Sequence, residues 1–213
     1  MLDNIRWLGH DTFKIVGAGK IIYLDPFQLP RTAEPADIIL ITHEHHDHCS
    51  PADVEKIRTP QTIVIANASA AEQLAGNVRV MQPDEQTEIE GVNIKAVRAY
   101  NVNKFREANM PFHPRDEGKL GYIITVEGQR IYHAGDTDCI PEMAGYSTDV
   151  ALLPVSGTYV MTAEEAAEAV RLIKPKIAIP MHYGTIVGSA EDAESFRRLV
   201  GDLCQVVILE KVE

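Results

Sequence analysis

Apolar runs separated by turn residues divide the chain into strands from its start. Runs at 5–8, 13–16 and 21–24 are divided by glycine-containing turns and predict an antiparallel meander. Ile38–Ile41 is apolar at every position, which is typical of a strand buried on both faces. Later runs predict further strands at 62–66, 91–99, 120–126, 129–132, 150–153, 176–179 and 206–209.

Helix signals alternate with these strands. Ser50 is a suitable N-cap before Pro51, a residue that fits the first turn of a helix. A short helix is predicted at 69–74, and Thr162 with Glu165 forms a capping-box pattern before apolar residues at helical spacing. A last amphipathic helix is predicted at 189–200, with Phe196 and Leu199 facing inward. The pattern indicates an α/β protein with a two-layered β core flanked by helices, in a single domain over residues 1–213.

One segment, 101–119, has no clear hydrophobic period and contains two prolines and a glycine. Irregular segments of this length inside a compact domain are usually functional or disordered. We therefore expect this segment to contribute to a functional site.

Composition narrows the class of protein. Apolar residues make up 45% of the chain, which suits a globular core, and no apolar stretch is long enough to cross a bilayer. The N-terminus lacks a secretion signal, and the cysteines are few, odd in number and widely spaced, as is typical of a cytoplasmic protein. Lys and Arg number 20 against 31 Asp and Glu, a net charge of −11, which argues against a nucleic-acid-coating protein. We expect a small-molecule substrate and no membrane partner; the sequence does not decide between a monomer and a homo-oligomer.

Histidines and aspartates follow three of the predicted buried strands. The segment 42–48, Thr-His-Glu-His-His-Asp-His, follows Ile38–Ile41, Asp136 follows the strand at 129–132, and His182 follows the strand at 176–179. Ligands collect at strand ends in α/β folds, because the sheet fixes the backbone there while the loops stay open.

The residue types and their spacing indicate metal chemistry. His43 and His45, two apart on an extended segment, can bind one ion, and Asp47 and His48 face the same cavity and can bind a second. Imidazole and carboxylate groups suit zinc, manganese or iron, and the lack of paired thiolates argues against a closed structural zinc site.

The pattern His43-x-His45-x-Asp47-His48 resembles the signature of the metallo-β-lactamase fold superfamily, whose members have a four-layer αββα sandwich. The resemblance covers essentially the whole chain. It implies that Asp136 bridges two metals and that His182 binds the second. Segments 7–10, 132–137 and 180–183 resemble the branch of small cytoplasmic metal-dependent hydrolases related to the ascorbate-phosphate lactonases.

The resemblance also requires a third histidine for the first metal, between the signature and Asp136. Relatives often carry it directly after a strand, where this chain has Asn101. His113, in the irregular segment, is the remaining histidine of that interval and is the predicted ligand, with Asn101 or water as the alternative. We therefore expect the segment 101–119 to fold over the metals.

Four further residues have expected roles. His10 either touches substrate or metal-bound water, or is a packing histidine, and Asp47 serves as a ligand and a proton acceptor. Asp25 orients a metal-binding histidine, and His46, the variable position of the signature, points away from the cavity.

These residues predict a hydrolase in which a hydroxide held by one or two divalent ions, zinc or manganese, attacks an ester, lactone or related bond. The substrate is small, and basic residues of the loop, which are Lys104, Arg106, Arg115 and Lys119, would receive an anionic one. The alternative is a metal-dependent phosphodiesterase or nuclease. A diiron redox protein ranks last, because that branch typically carries Glu where this chain has His45.

Overall fold

Two mixed β-sheets form the centre of the molecule. The computed structural model describes residues 2–212. Within that range the first sheet has six strands, and their order across the sheet is the same as their order along the chain. They are β1 (Ile5–Gly9), β2 (Thr12–Gly17), β3 (Lys20–Leu24), β4 (Ile38–Ile41), β5 (Ile63–Ala66) and β6 (Val78–Val80). The first three strands pair antiparallel as the predicted meander, and β3 to β6 pair parallel.

The described residues after 80 contribute nine more strands. They are β7 (Gln86–Ile89), β8 (Val92–Arg98), β9 (Phe105–Glu107), β10 (Met110–Pro111), β11 (Leu120–Val126), β12 (Gln129–His133), β13 (Val150–Pro154), β14 (Ile177–Met181) and β15 (Gln205–Val206). Seven of these form the second sheet, in the order β15-β14-β13-β12-β11-β8-β7, and β9 pairs with β10 in a separate hairpin.

The α-helices within residues 2–212 are α1 (Pro51–Ile57), α2 (Ala68–Ala71), α3 (Ala163–Ile173) and α4 (Ala190–Val200). The predicted caps are present: the Ser50 side chain accepts a hydrogen bond from the backbone N–H of Asp53, and Thr162 and Glu165 form the capping box of α3. Across the same described residues, none of the helices has the length and apolar character that crossing a bilayer requires.

The apolar strand β4 shows how the layers are arranged. Ile38 and Leu40 pack into the core that the two sheets share, whereas Ile39 and Ile41 face the opposite side and join the cluster around α1. Burying such an aliphatic side chain stabilises the fold by roughly 1.5–3 kcal/mol, so a strand that is apolar at every position belongs between two layers. Helices α3 and α4 cover the second sheet, and the predicted αββα sandwich is confirmed.

Several features differ from the sequence prediction. Strands β6 and β7 were not predicted, the helix predicted at 69–74 is Ala68–Ala71, and the strand predicted at 206–209 is Gln205–Val206. Leu199, expected to face inward, is 41% exposed, because the buried stripe of α4 follows Ala193, Phe196 and Val200 and each residue turns the helix by about 100°. The segment 101–119 is not wholly irregular, since it contains the hairpin β9–β10 and one turn of 3₁₀ helix. Both hairpin strands are too short to give a detectable period.

Candidate metal centre

Four strand ends bring histidines and aspartates together in one place. The side chains come from the β1–β2 turn, from the segments after β4 and β12, and from the residue after β14, and the irregular segment adds one more. They are His10, Asp11, His43, His45, Asp47, His48, His113, Asp136 and His182. All are buried except His45 and Asp47, which are half-buried.

The backbone at Gly135 explains how Asp136 reaches the centre. Gly135 has a φ of +61°, and a Cβ built there would lie 2.6 Å from the carbonyl oxygen of Leu120. Only glycine fits this approach, because any side chain would collide with the neighbouring strand. The turn after β12 therefore packs against β11 and directs the next residue, Asp136, inward.

A first group of donor atoms comes from His43, His45, His113 and Asp136, whose ligand atoms all lie within 4.8 Å of one another. The His45 Nδ1 atom lies 3.0 Å from His43 Nε2 and 3.4 Å from His113 Nε2. Asp136 Oδ2 lies 3.3 Å from His113 Nε2 and 3.9 Å from His43 Nε2. The structure thus brings the predicted third histidine, from the irregular segment, beside the signature histidines.

A second group lies on the other side of Asp136. Its Oδ1 atom is 3.2 Å from His48 Nε2 and 3.4 Å from His182 Nε2. His10 and Asp11 complete a cluster with these two histidines in which the ligand atoms again lie within 4.8 Å of one another. The two oxygens of Asp136 therefore face two separate donor groups, the arrangement of a carboxylate shared by two ions.

The spacing of these atoms fits metal ions better than hydrogen bonds. Most of the distances exceed the 2.7–3.2 Å of a hydrogen bond. They are close to the separation of about 3.4 Å between two ligand atoms of a tetrahedral ion with bonds of about 2.1 Å. Several of the buried atoms have no hydrogen-bond partner among residues 2–212; these are His10 Nδ1, both oxygens of Asp11, His48 Nε2 and Asp136 Oδ1. Unpaired buried polar atoms are costly, so this donor set fits divalent cations.

Asp25 and Thr42 orient two of the histidines after β4. Asp25 Oδ2 lies 2.8 Å from His48 Nδ1 and accepts a hydrogen bond from the Thr42 hydroxyl, and its Oδ1 accepts one from the Thr42 backbone N–H. The Thr42 oxygen lies 3.0 Å from His43 Nδ1. With Nδ1 of each ring engaged as a donor, Nε2 is left as the acceptor that a metal requires. Asp25 thus orients a histidine of the centre, as predicted.

Asn101 and Ser156 orient two further rings, those of His113 and His182. Asn101 Oδ1 lies 2.8 Å from His113 Nδ1 and accepts the backbone N–H of His113 at 2.9 Å, and its amide donates to the carbonyl of Tyr159. Ser156 Oγ lies 2.9 Å from His182 Nδ1. The oxygen of the Asn101 side chain is therefore engaged by His113. This favours His113 over Asn101 as the third ligand of the first metal.

Burial and charge give the two groups different affinities for protons. In the first group burial lowers the pKa of His43 well below its usual range and that of His113 to about 4, so both rings are neutral near pH 7. In the second group burial also acts to lower the pKa of each histidine. The negative charge of Asp136 and its hydrogen bonds act in the opposite direction, with Asp25 adding to the effect at His48 and Asp11 at His182. Together they outweigh burial, so the pKa of His48 is well above its usual range and that of His182 is raised to about 9. A cation bound there would replace these protons.

The other predicted residues lie at the edge of the centre or outside it. Asp47, expected as a second-group ligand, is not in either cluster; its Oδ2 lies 3.1 Å from His10 Nε2 and 3.8 Å from His48 Nε2. The His46 side chain is 79% exposed and points away, as predicted. Asp11 was missed by the sequence reasoning, because an aspartate in a short turn between strands is an ordinary turn residue.

The basic residues of the irregular segment are engaged with neighbouring groups. Lys104 pairs with Glu165 at 2.7 Å and Arg115 pairs with Glu142 at 2.9 Å. Lys119 is 2% exposed and pairs with Glu44. The remaining one, Arg106, donates to the backbone carbonyl of Phe112. An anionic substrate would have to compete with these contacts.

Comparison with known proteins identifies the family. Residues 4–182 match the family described as the beta-lactamase superfamily domain. A UPF0173 metal-dependent hydrolase from Thermococcus onnurineus is 38% identical, in an alignment that covers 99% of this chain and 97% of the relative.

Two solved structures are similar throughout. A Parabacteroides distasonis protein provisionally named a metal-dependent hydrolase is 35% identical, with a TM-score of 0.87 and coverage of 98% of this chain and 93% of that one. A Thermotoga maritima protein provisionally named a zinc-dependent hydrolase of the metallo-β-lactamase superfamily is 26% identical, with a TM-score of 0.64 and coverage of 97% of both chains. The chain therefore belongs to the β-lactamase superfamily and, within it, to the UPF0173 family of metal-dependent hydrolases.

Proposed function

We propose that the protein hydrolyses an ester, lactone or related carbonyl bond in a small molecule, with one divalent ion on each side of Asp136. One observation carries the proposal: the two oxygens of this buried carboxylate face two groups of donor atoms, several of which have no hydrogen-bond partner within residues 2–212. Two adjacent cations with a shared ligand form a site that can hold both a water molecule and a substrate oxygen.

The donor set suggests which residues hold each ion. His43, His45 and His113 would hold the first with Asp136, and His48 and His182 the second. Such an ion, when bound, lowers the pKa of water from 15.7 to about 7 and polarises a carbonyl oxygen. Imidazole-rich positions suit zinc, and oxygen ligands suit manganese, so we propose one or both of these metals. The zinc in the name of the Thermotoga maritima relative supports the first of them.

Asp47 and His10 form a polar pair beside the second group. The pKa of Asp47 lies well below its usual range: burial acts to raise it, but the hydrogen bond with His10 and the positive charge of His48 outweigh burial. Such a carboxylate stays ionised and is a weak base. The pair therefore supports a role for Asp47 in ligation, or in orienting a water through its other oxygen, more than in proton abstraction. His10 would fix the position of Asp47.

The contacts of the basic residues in the segment 101–119 indicate which charge the substrate carries. Three of the four basic residues that would receive an anion have carboxylate partners, and Arg106 donates to a backbone carbonyl, so the site offers few free cations to a phosphate or to nucleic acid. This favours a small carbonyl substrate over the phosphodiester of the alternative function. Of the remaining expectations, a relation to the lactonase branch and the cytoplasmic location stay predictions.

A substrate panel tests the proposal. The stripped protein is loaded with zinc or with manganese and assayed with an aryl ester, a lactone and bis(p-nitrophenyl) phosphate, beside Asp136→Asn as the control for metal-dependent turnover. We expect turnover of the ester or lactone that the control variant lacks. Faster turnover of the phosphodiester would favour the alternative function, and equal rates for the protein and its variant would refute the proposal.

A further inference from the structure

Asp11 is a buried carboxylate that lies beside the second donor group. Its side chain is 0% exposed, and neither oxygen has a hydrogen-bond partner among residues 2–212. An ionised carboxylate without a partner is among the most costly groups to bury. A cation held beside Asp11 would offset this cost.

The nearest groups of opposite character are the Nε2 atoms of three histidines. Asp11 Oδ2 lies 3.5 Å from the Nε2 of His48, 3.8 Å from that of His182 and 3.7 Å from that of His10. These distances are too long for hydrogen bonds, yet they are near the separation of about 3.4 Å expected for ligand atoms that share one ion. The oxygen thus points at the position that His48 and His182 surround.

The backbone of the β1–β2 turn is fixed so that the carboxylate has little freedom to move away. His133 Nε2 donates a hydrogen bond to the Asp11 carbonyl oxygen at 2.8 Å. The preceding carbonyl, that of His10, accepts bonds from the Trp7 indole at 2.8 Å and from the His182 backbone N–H at 3.2 Å. His10 itself has a φ of +51°, a strained conformation that these bonds hold in place.

We propose that Asp11 is a ligand of the second metal position and that it raises the preference of this position for manganese over zinc. The proposal rests on the two-metal centre of the proposed function. The first position has three imidazoles and one carboxylate oxygen, whereas the second would have two carboxylate oxygens, from Asp11 and Asp136, with His48 and His182. Manganese favours oxygen ligands and zinc favours nitrogen, so loss of Asp11 should weaken manganese binding more than zinc binding.

Metal titration of stripped protein tests this without any assay of turnover. Wild type, Asp11→Asn and Asp53→Asn are each titrated with Mn²⁺ alone and with Zn²⁺ alone, and bound metal per chain is measured by elemental analysis. Asp53 is a buried aspartate that belongs to neither donor group and is paired with Lys56, so it controls for the loss of a buried carboxylate. We expect wild type and Asp53→Asn to bind two equivalents of Mn²⁺. In Asp11→Asn the second equivalent should bind at least tenfold more weakly, with a smaller loss for Zn²⁺ and an unchanged first equivalent.

Several results would overturn the proposal. They are an unchanged second equivalent of Mn²⁺ in Asp11→Asn, a loss as large for Zn²⁺ as for Mn²⁺, and a wild type that binds only one ion. Should the variant not fold, diffraction at the manganese edge from wild-type crystals decides: an Asp11 oxygen about 2.2 Å from the metal supports the proposal, and a gap of about 3.5 Å or more overturns it. A protein that binds both ions but hydrolyses nothing would refute the proposed function and leave the role of Asp11 standing.

Discussion

The contacts of Asn101 make Asn101→Ala a selective perturbation of the first metal position. The side chain is 5% exposed, accepts hydrogen bonds from the backbone and the ring of His113, and donates one to the Tyr159 carbonyl. Alanine removes all three bonds while leaving the donor atoms of the first group in the chain. The His113 ring would then be free to rotate away from Asp136.

The size of the effect follows from these three bonds. A buried hydrogen bond contributes about 1 kcal/mol, so we expect the metal-free protein to lose about 2–3 kcal/mol of unfolding free energy. Loss of a group that orients a metal-binding histidine typically weakens metal binding by about 10–100-fold. We expect a loss of that order at the first position and little change at the second, because the hydrogen bonds of the Asn101 side chain go to His113 and Tyr159.

Chelator competition with zinc measures the affinity, and thermal unfolding of the metal-free protein measures stability. Asn103→Ala is the matched control, since this exposed asparagine of the same loop contacts Glu165 instead of a histidine. Its affinity should equal that of wild type. In a His113→Ala background, Asn101→Ala should add little further loss of affinity, because the two residues act as one unit.

Wild-type zinc affinity in a folded Asn101→Ala protein would refute this reasoning. So would an additive loss in the double variant. Either result would mean that His113 does not depend on Asn101 for its position, or that His113 is not a ligand.

Three further predictions concern the same centre. Asp136→Asn should abolish metal-dependent turnover and His46→Ala should keep most of it, because the His46 ring is 79% exposed; equal loss in both, with circular dichroism unchanged, would contradict the assignment. Gly135→Ala should lower the melting temperature far more than Gly118→Ala, since both have positive φ but only the Cβ at 135 meets a backbone oxygen, at 2.6 Å. Metal removal should speed amide hydrogen exchange across residues 101–119, because the metal would hold this loop through one histidine, and identical protection in both forms would count against that link.

The layered fold was predictable because its strongest signals are local. A strand that is apolar throughout, such as β4, must be covered on both faces, and the capping box of α3 marks a helix start by its own hydrogen bonds. The hairpin β9–β10 was missed because its strands have only two or three residues each. The exposed position of Leu199 was missed because a small rotation of the helix decides which residues face the core.

The site was predictable only in part for a similar reason. The histidines of the signature segment can be recognised from their number and spacing. Asp11 is a single aspartate in a turn, and its proximity to His48 and His182, which follow distant strands, is visible only in the structure. The same holds for Asn101, which reads as a poor ligand in the sequence and proves to orient a histidine in the structure.

Diffraction from zinc-loaded crystals at the zinc absorption edge tests the central claim most directly. We predict two anomalous peaks, one beside His43, His45 and His113 and the other beside His48 and His182, with one oxygen of Asp136 about 2.1 Å from each. A single peak, or two peaks that do not both contact Asp136, would contradict the account of a carboxylate shared by two ions.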